Sequence, residues 1–438
     1  MTPTPPRARR LAGTLYAYAF LTDLVLLYPV YALLFADTGL SVGQISSLFV
    51  IWSLASIALE VPSGAWADAT SRRRMLCLAP LCTAAGFALW TFAPSYPAFA
   101  AGFVLWGAGG ALASGATEAL VFDELDRLGA ADRYARVIGR ARTAGTVGVL
   151  GSIVLAAPVL GIGGYPAVGA ASVAACLLAS VVAVRFPEHG RAGGPDTGRA
   201  GVASPARDGA ASSAANGSAD AVAPAGPEDG LGWWQELRAG VAEARGDRSV
   251  RRAVLLVAGV SAIWGALDEY TPLLARDTGV ALTTVPLLLL IVTVGQIVGG
   301  LLAPVGQRFG NRGYALLLAG SALALAGGAL AGHPAAFGLV AVAFCGLQLA
   351  SVLADARLQT RIAGPGRATV TSLAGMGTDL TVIVVYAGYG LVATVAGNPV
   401  AFAVVAVPYL LIAVVLAVRQ AGDRRSPASV GWPSAGRS

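Results

Sequence analysis

Lysine is absent from this sequence, and arginine supplies all 30 of its basic residues. A nucleotide-binding P-loop needs a lysine after its glycine-rich turn to reach the phosphates. No such loop can occur here, which excludes a pump driven by ATP hydrolysis in this chain.

Histidine and cysteine are also scarce. The two histidines, His189 and His333, lie far apart in the sequence, and the four cysteines lie in apolar segments without CxxC spacing: Cys77, Cys82, Cys176 and Cys345. Zinc sites and disulfide frameworks need closely spaced ligands or paired cysteines. Neither pattern is present, nor is a nucleophile with its base, so we expect no metal, no cofactor and no enzymatic activity.

Charged residues make up only 12% of the sequence, against 56% hydrophobic residues and a mean hydropathy of +0.68. This composition describes a chain whose main solvent is lipid. The net charge of +6 falls mostly between the apolar runs, where it indicates topology and contact with anionic lipid. No basic stripe interleaves with aromatic residues, so we expect no nucleic-acid partner.

Twelve apolar runs are close to the length of about 20 residues that a membrane-spanning helix needs. We therefore predict an all-α membrane protein with twelve transmembrane helices in two six-helix bundles. The runs cover residues 12–35, 42–62, 75–93, 98–121, 137–160, 165–185, 252–274, 281–303, 313–331, 336–354, 369–393 and 399–418.

A segment rich in Ala, Gly, Pro and Ser separates the two groups of six runs. It holds too few large apolar side chains to offset the entropy lost on ordering. We predict a six-helix bundle over 1–186, a disordered cytoplasmic linker over 187–247, a second bundle over 248–420 and a cytoplasmic tail over 421–438.

The arginines fall almost entirely in alternate connections between the runs. One set of connections holds both termini, the linker and clusters such as Arg72–Arg74, whereas the opposite set holds only Arg276. Because cytoplasmic loops retain positive charge, we expect both termini in the cytoplasm, in a multi-pass protein of the cell membrane.

Internal repetition indicates that the two halves are built alike. The sequence LLFADTGL at 33–40 returns as LLARDTGV at 273–280, and Gly139-Arg140-Ala141 returns as Gly366-Arg367-Ala368. These segments hold equivalent places in a scheme of six plus six helices, as in transporters whose bundles are related by an axis along the membrane normal.

The connection between the second and third runs reads GAWADATSRRR from Gly64 to Arg74. It resembles the loop motif GxLaDrxGrr of the major facilitator superfamily and departs from it at Ala69 and Ser71. The matching residues are Gly64, Asp68, Arg72 and Arg73. The resemblance covers roughly residues 11–420, except the linker. It implies a secondary transporter in which this loop acts as a latch between the halves during alternating access.

The stretch EVPSG at 60–64 is similar to the EVPTG stretch of one bacterial branch of these carriers, which also favours a fourth span ending like 114–123. This resemblance implies drug efflux. Two motifs of proton-coupled members are poorly matched, because no arginine stands near Phe103 and the Gly-Pro-rich stretch of the fifth run is reduced to 157–161. Gln307 replaces the aspartate in the second-half copy of the loop.

Four acidic residues lie inside the apolar runs and away from their predicted cytoplasmic ends, where an ionisable side chain is costly and marks a functional candidate. Asp23 and Asp379 lie near the middle of the first and eleventh runs, and Asp268 and Glu269 lie in the outer half of the seventh. Such a carboxyl group can take up a proton in one conformation and release it in another. The alternatives are a structural hydrogen bond or a position at the outer boundary.

Charged residues also gather at the predicted cytoplasmic ends of the helices. Besides the loop motif, this group comprises Glu118, Asp123, Arg140 and Arg142. Opposite charges in this arrangement favour salt bridges, so we predict a cytoplasmic gate with a structural role. The candidates to line a substrate cavity are Gln44, Gln296, Gln348, Tyr16, Tyr28, Trp264 and Tyr386, and the favoured alternative for each one is a role in packing.

We predict that the protein exports a small amphipathic organic molecule, driven by the proton gradient. Acidic residues without a matching arginine inside the membrane favour a cationic or neutral substrate. A proton symporter that imports a sugar, nucleoside or peptide is the alternative. A transport-dead receptor or scaffold is less favoured, because it has no use for costly buried acids. We expect a monomer whose partners are the substrate, protons and membrane lipid.

Overall fold

The computed structural model describes residues 6–187, 247–362 and 367–423, and every regular element within these ranges is a helix. Apart from its two end residues, the linker predicted over 187–247 lies outside the described residues. Most of the tail predicted over 421–438 does so as well.

The N-terminal half contains six helices: α1 Pro6–Asp23, α2 Tyr31–Asp37, α3 Val42–Ala69, α4 Arg72–Phe92, α5 Tyr96–Arg127 and α6 Tyr134–Ala183. The C-terminal half contains eight in its described part: α7 Arg248–Asp268, α8 Thr271–Asp277, α9 Val285–Leu301, α10 Ala303–Gly306, α11 Asn311–Leu330, α12 Phe337–Gln359, α13 Arg367–Ala396 and α14 Asn398–Asp423. Short 3-10 turns precede α6, α9 and α12: Ala131–Arg133, Leu282–Thr284 and Pro334–Ala336.

Ten helical stretches within the described ranges are long and apolar enough to cross a membrane. Large apolar side chains point outward from them, since Ile162, Leu301 and Val395 are 89%, 75% and 89% exposed. Such side chains can face lipid, while the helices satisfy their own backbone polar groups. The protein is therefore a multi-pass membrane protein.

The first apolar run is not one continuous helix. The first helix, α1, ends at Asp23 and α2 begins at Tyr31, with turns between them. Pro29 lies in this interval, and it lacks an N–H group and disfavours helical backbone in the residue before it. The continuous span expected over 12–35 is therefore broken, and it is not among the ten stretches.

Two of the expected runs join in α6, a helical stretch of 50 residues with non-helical backbone at its middle. Gly164 adopts a φ of +61° there, a left-handed conformation that glycine tolerates. Both arms of α6 pack against α1 and the turn that follows it. In the arm before Gly164, Gly145 lies against Asp23. In the arm after it, the hydroxyl of Ser172 accepts a hydrogen bond of 3.0 Å from the N–H of Leu27. The chain thus folds back on itself at Gly163 and Gly164.

The sequence repeat is also a structural repeat. The helices α2 and α8 each have seven residues and end in Asp37 and Asp277. Each is followed by a threonine and a glycine with positive φ, which is +96° at Gly39 and +79° at Gly279. We call the end of the molecule with these two turns the Asp37 end, and the opposite end, where α4 begins, the Arg72 end.

A GxxxG pattern brings α9 very close to α12. At Gly295 and Gly299, a Cβ atom would collide with the backbone carbonyl groups of Ala341 and Cys345. Small residues spaced in this way let two membrane helices approach backbone to backbone. The contact fixes the rotation of α9 and so determines which way the intervening Gln296 points.

Candidate functional site

A cavity of about 250 Å³ lies between the N-terminal and C-terminal halves. Helices of the N-terminal half provide aromatic residues on one side, and α7, α8 and α9 provide acidic, polar and apolar residues on the other. We call this space the central cavity. Its position between two similarly built halves is where a carrier of this kind binds its substrate.

The N-terminal side of the central cavity is an aromatic wall made of Tyr28, Tyr31, Trp52 and Trp106. The Trp106 ring stacks on Trp52, with 4.6 Å between the ring centroids and 13° between the ring planes. It also stacks on Tyr28, with 5.5 Å between the centroids and 21° between the planes. Tyr31 stands edge-on to Trp106 at 6.1 Å. The turn between α1 and α2 brings Tyr28 into this row, so the break in the first span helps to build the wall.

The opposite side carries an acidic pair, Asp268 and Glu269. Asp268 is the last residue of α7 and Glu269 is its C-cap, where the helix dipole disfavours negative charge. The Oδ1 atom of Asp268 accepts a hydrogen bond of 2.9 Å from Nε2 of Gln296. None of the residues that line the central cavity in the described ranges is arginine or histidine. The pair therefore lacks a protein cation beside it.

Three buried polar atoms have no hydrogen-bond partner among the described residues: the Tyr31 hydroxyl, Nε1 of Trp264 and Oε1 of Gln348. Burying an unpaired polar group costs roughly 1–3 kcal/mol. Tyr31 is only 3% exposed and lines the central cavity, so its hydroxyl is a candidate partner for a bound molecule.

Asp23 lies in a different place, in a second cavity of about 340 Å³ formed by α1, α5 and α6. Glu118 and Arg142 line the same cavity. The carboxylate of Asp23 packs so tightly on Gly145 that a Cβ there would collide with it. Asp23, Asp268 and Glu269 were predicted together as proton-coupling residues, and the structure separates Asp23 from the acidic pair into a different cavity.

Asp379 lines neither cavity. It is exposed on α13 and interacts electrostatically with Glu60 of α3. Among the other predicted lining groups, Tyr28 and Gln296 do face the central cavity. Gln44 instead caps the start of α3, where its Oε1 accepts a hydrogen bond of 2.9 Å from the N–H of Ser41. Its polar group serves that helix, and Gln44 is not among the residues that line the central cavity.

The charged group near the Arg72 end forms ion pairs within the N-terminal half. Arg72 contacts the carboxylate of Asp123, which joins α4 to α5. Arg142 lies 3.7 Å from Glu118, which joins α6 to α5. Of the remaining predicted members, Arg73 is half-buried and Arg140 is exposed. The surroundings of Gly64 and Asp68 lie outside the described residues.

A polar network at the Asp37 end was not predicted from the sequence. Asp37 forms an ion pair of 2.5 Å with Arg276 of the other half and accepts a hydrogen bond of 2.6 Å from the Tyr165 hydroxyl. Asp277 accepts one of 2.8 Å from Asn398, whose Oδ1 in turn accepts one of 2.9 Å from Tyr389. The repeated Asp-Thr-Gly turns and the isolated Arg276 were the signals that pointed here.

Packing between α3 and α13 brings the halves together near the same end. The Tyr270 hydroxyl donates a hydrogen bond of 2.8 Å to the Ser46 hydroxyl, and Phe49 packs at 5.2 Å against both Tyr270 and Tyr386. A Cβ at Gly390 would come within 2.6 Å of Ser46. These contacts and the polar network hold the halves together at the Asp37 end.

The sequence and the fold were compared with those of known proteins. Residues 14–360 match the sequence pattern of the Major Facilitator Superfamily. A comparison with curated protein sequences found no match.

Solved transporter structures share the fold at low sequence identity. A bacterial homolog of the human lysosomal transporter Spinster, in an inward-facing conformation, has a TM-score of 0.67 and 18% identity over 97% of this chain and 100% of its own. A nucleoside transporter has a TM-score of 0.69 and 11% identity over 94% of this chain and 99% of its own. A D-xylose–proton symporter has a TM-score of 0.63 and 15% identity over 94% of this chain and 97% of its own. The sequence match spans most of the chain, which therefore belongs to the Major Facilitator Superfamily.

Proposed function

We propose that the protein is a proton-coupled secondary transporter that moves a small amphipathic organic molecule by alternating access. The observation that carries this proposal is the central cavity itself, which lies between the two halves while contacts join those halves at the Asp37 end. Rocking of the halves would expose such a cavity to one side of the membrane at a time.

The chain crosses the membrane twelve times in this proposal. The broken segment α1–α2 counts as one crossing and the two arms of α6 as two, in addition to nine of the ten apolar stretches. The distribution of arginine supports a cytoplasmic location of both termini and the Arg72 end in this proposal. The conformation described here is then closed toward the outside.

The carboxyl groups of Asp268 and Glu269 are the coupling candidates, because they line the substrate cavity with no arginine or histidine among the described lining residues. In a low dielectric, an uncompensated carboxylate is costly, so a proton or a cationic substrate must neutralise it. When the two compete to neutralise this acidic pair, loading of the substrate releases a proton from it. This competition supports antiport, and hence export driven by the inward proton gradient.

Import by proton symport is the second candidate. The structural relatives include a D-xylose–proton symporter and a nucleoside transporter, and the same carboxyl groups could take up a proton together with a neutral substrate. Asp23 is a further candidate for the proton carrier in that case, because it lies in a cavity separate from the acidic pair.

The test is substrate-dependent proton flux in liposomes that contain the purified protein and an internal pH dye. Lipophilic cations, neutral drugs and sugars are added to one side under an imposed proton gradient. We expect a proton flux that opposes the substrate flux and is lost in Glu269→Gln. Asp126→Asn, which changes an exposed carboxylate outside both cavities, is the matched control. Flux of protons and substrate in the same direction would replace antiport by symport.

A further inference from the structure

The two walls of the central cavity differ sharply in chemistry. The rings of Tyr28, Trp106 and Trp52 form a near-parallel row on the N-terminal side. Asp268 and Glu269 stand on the C-terminal side, and no arginine or histidine lines the space in the described ranges. An outer face of such a row attracts cations, and carboxylates do so by charge, so both walls favour the same kind of group.

The two carboxylates are held differently. Asp268 is oriented by its hydrogen bond from Gln296, which the close packing of α9 on α12 positions in turn. The Glu269 carboxylate has no such bond among the described residues, since no hydrogen bond or ion pair of its side chain occurs there. A fixed carboxylate suits a bound organic group, whereas a free one can gain and lose a proton without breaking a hydrogen bond.

A third observation concerns Tyr31, which is a lining residue of the cavity and is almost completely buried. Its hydroxyl has no hydrogen-bond partner among the described residues. It offers a polar contact beside the aromatic row. Tyr31 and Trp106 also meet edge to face at 6.1 Å and 81°, so the wall is packed and shaped before any molecule binds. A prearranged wall lowers the entropic cost of binding.

We infer that the central cavity binds a planar aromatic cation, with its ring on the row of Tyr28, Trp52 and Trp106 and its positive charge on Asp268, while Glu269 holds the transported proton. The inference rests on the proposed function, because it names the substrate class of that transporter. The bound cation bridges the two halves, so its binding energy is available only when both walls face each other.

Binding of N-methylquinolinium to the full-length protein in detergent tests the inference by isothermal titration calorimetry, with protein-free micelles subtracted. Quinoline at a pH above neutrality is the matched probe, because it has the same ring system without the charge. We expect the cation to bind at least about tenfold more tightly than quinoline, since a charge-assisted contact contributes roughly 1.5–3 kcal/mol.

Variants separate the contributions of the two walls. Asp268→Asn, which preserves shape, should weaken binding of the cation about tenfold or more and leave quinoline binding unchanged. Trp52→Leu should weaken binding of both probes, and Trp52→Phe should restore most of it because a ring is retained. Asp126→Asn should change neither. Equal affinity for the two probes, or an Asp268→Asn variant that binds the cation as wild type does, would overturn the inference.

The outcomes distinguish this inference from the proposed function. Liposomes that couple protons to a neutral compound, together with no cation binding, would leave the transporter proposal standing and overturn the substrate class. Cation binding that depends on Asp268, without proton flux for any compound, would support the substrate class and overturn proton coupling.

Discussion

Arg276 and Asp37 form a 2.5 Å ion pair that joins the two halves at the Asp37 end. They belong to the two copies of one repeated turn, in which Arg276 takes the place of Ala36. A single departure from the internal repeat thus creates a contact between the repeats. The pair is half-exposed, so it contributes roughly 0.2–1 kcal/mol, enough to bias an equilibrium between conformations that differ by a few kcal/mol.

Removal of this ion pair should open the Asp37 end. For Arg276→Gln we expect the population open at that end to increase up to about fivefold, because the closed state loses the ion pair. Spin labels at Ser41 and Ala281, which are exposed positions in different halves, report the distance by electron–electron double resonance in a variant without native cysteines. Arg308→Gln, exposed elsewhere, is the control. Identical distance distributions in wild type and Arg276→Gln would contradict a role for this ion pair in holding the Asp37 end closed.

Asn398 should stabilise the C-terminal half more strongly. It is only 6% exposed and connects Asp277 to the buried hydroxyl of Tyr389. Asn398→Ala leaves that hydroxyl without a partner, so we expect a loss of about 1–3 kcal/mol in the free energy of unfolding. The apparent melting temperature in detergent measures the loss, and Asp126→Asn should show none. An unchanged melting temperature would mean that the network contributes nothing to stability.

The close contact of α9 with α12 predicts opposite results for two adjacent glycines. Gly299→Ala should destabilise the protein by about 1–3 kcal/mol, because the new methyl group collides with the carbonyl of Cys345. Gly300→Ala meets open space and should be neutral or slightly stabilising, since alanine favours a helix over glycine. Thermal unfolding in detergent compares the two variants. Equal melting temperatures would contradict the packing described for α9.

Gly145 offers a way to test Asp23 without changing its charge. A Cβ at Gly145 would collide with the Asp23 carboxylate, so Gly145→Ala should displace it. If Asp23 carries protons, Gly145→Ala should lower proton-coupled transport about as much as Asp23→Asn does, whereas Gly139→Ala on the same helix has open space and should not. Wild-type proton flux in Gly145→Ala with a fivefold loss in Asp23→Asn would show that the position of the carboxylate is unimportant.

Composition and the length of apolar runs were enough to predict the helical membrane fold, because lipid leaves few alternatives for a backbone that must satisfy its own hydrogen bonds. The break at Pro29 was missed. An apolar run identified by hydropathy continues through a proline, whereas the helix does not. The fold-back near Gly164 was placed correctly between two runs, since consecutive glycines and a proline mark it in the sequence.

The candidate site was predicted only in part. Asp268 and Glu269 were identified because acids inside an apolar run are costly, yet the sequence did not indicate that they face Trp52 and Trp106. These tryptophans lie on α3 and α5, and tertiary packing alone brings them to stack. Asp23 was identified by the same rule as the acidic pair, but depth along a helix does not determine which cavity a side chain enters.

Coupling of substrate to protons through Glu269 in the central cavity is tested most directly by transport in liposomes. The variant Glu269→Gln is compared there with wild type. Two modes are measured with the same labelled substrate: movement driven by a proton gradient, and exchange of labelled for unlabelled substrate without a gradient. We expect Glu269→Gln to lose the driven mode and retain exchange, because the cavity still alternates while its proton carrier is gone. Driven transport at the wild-type rate in Glu269→Gln would contradict it.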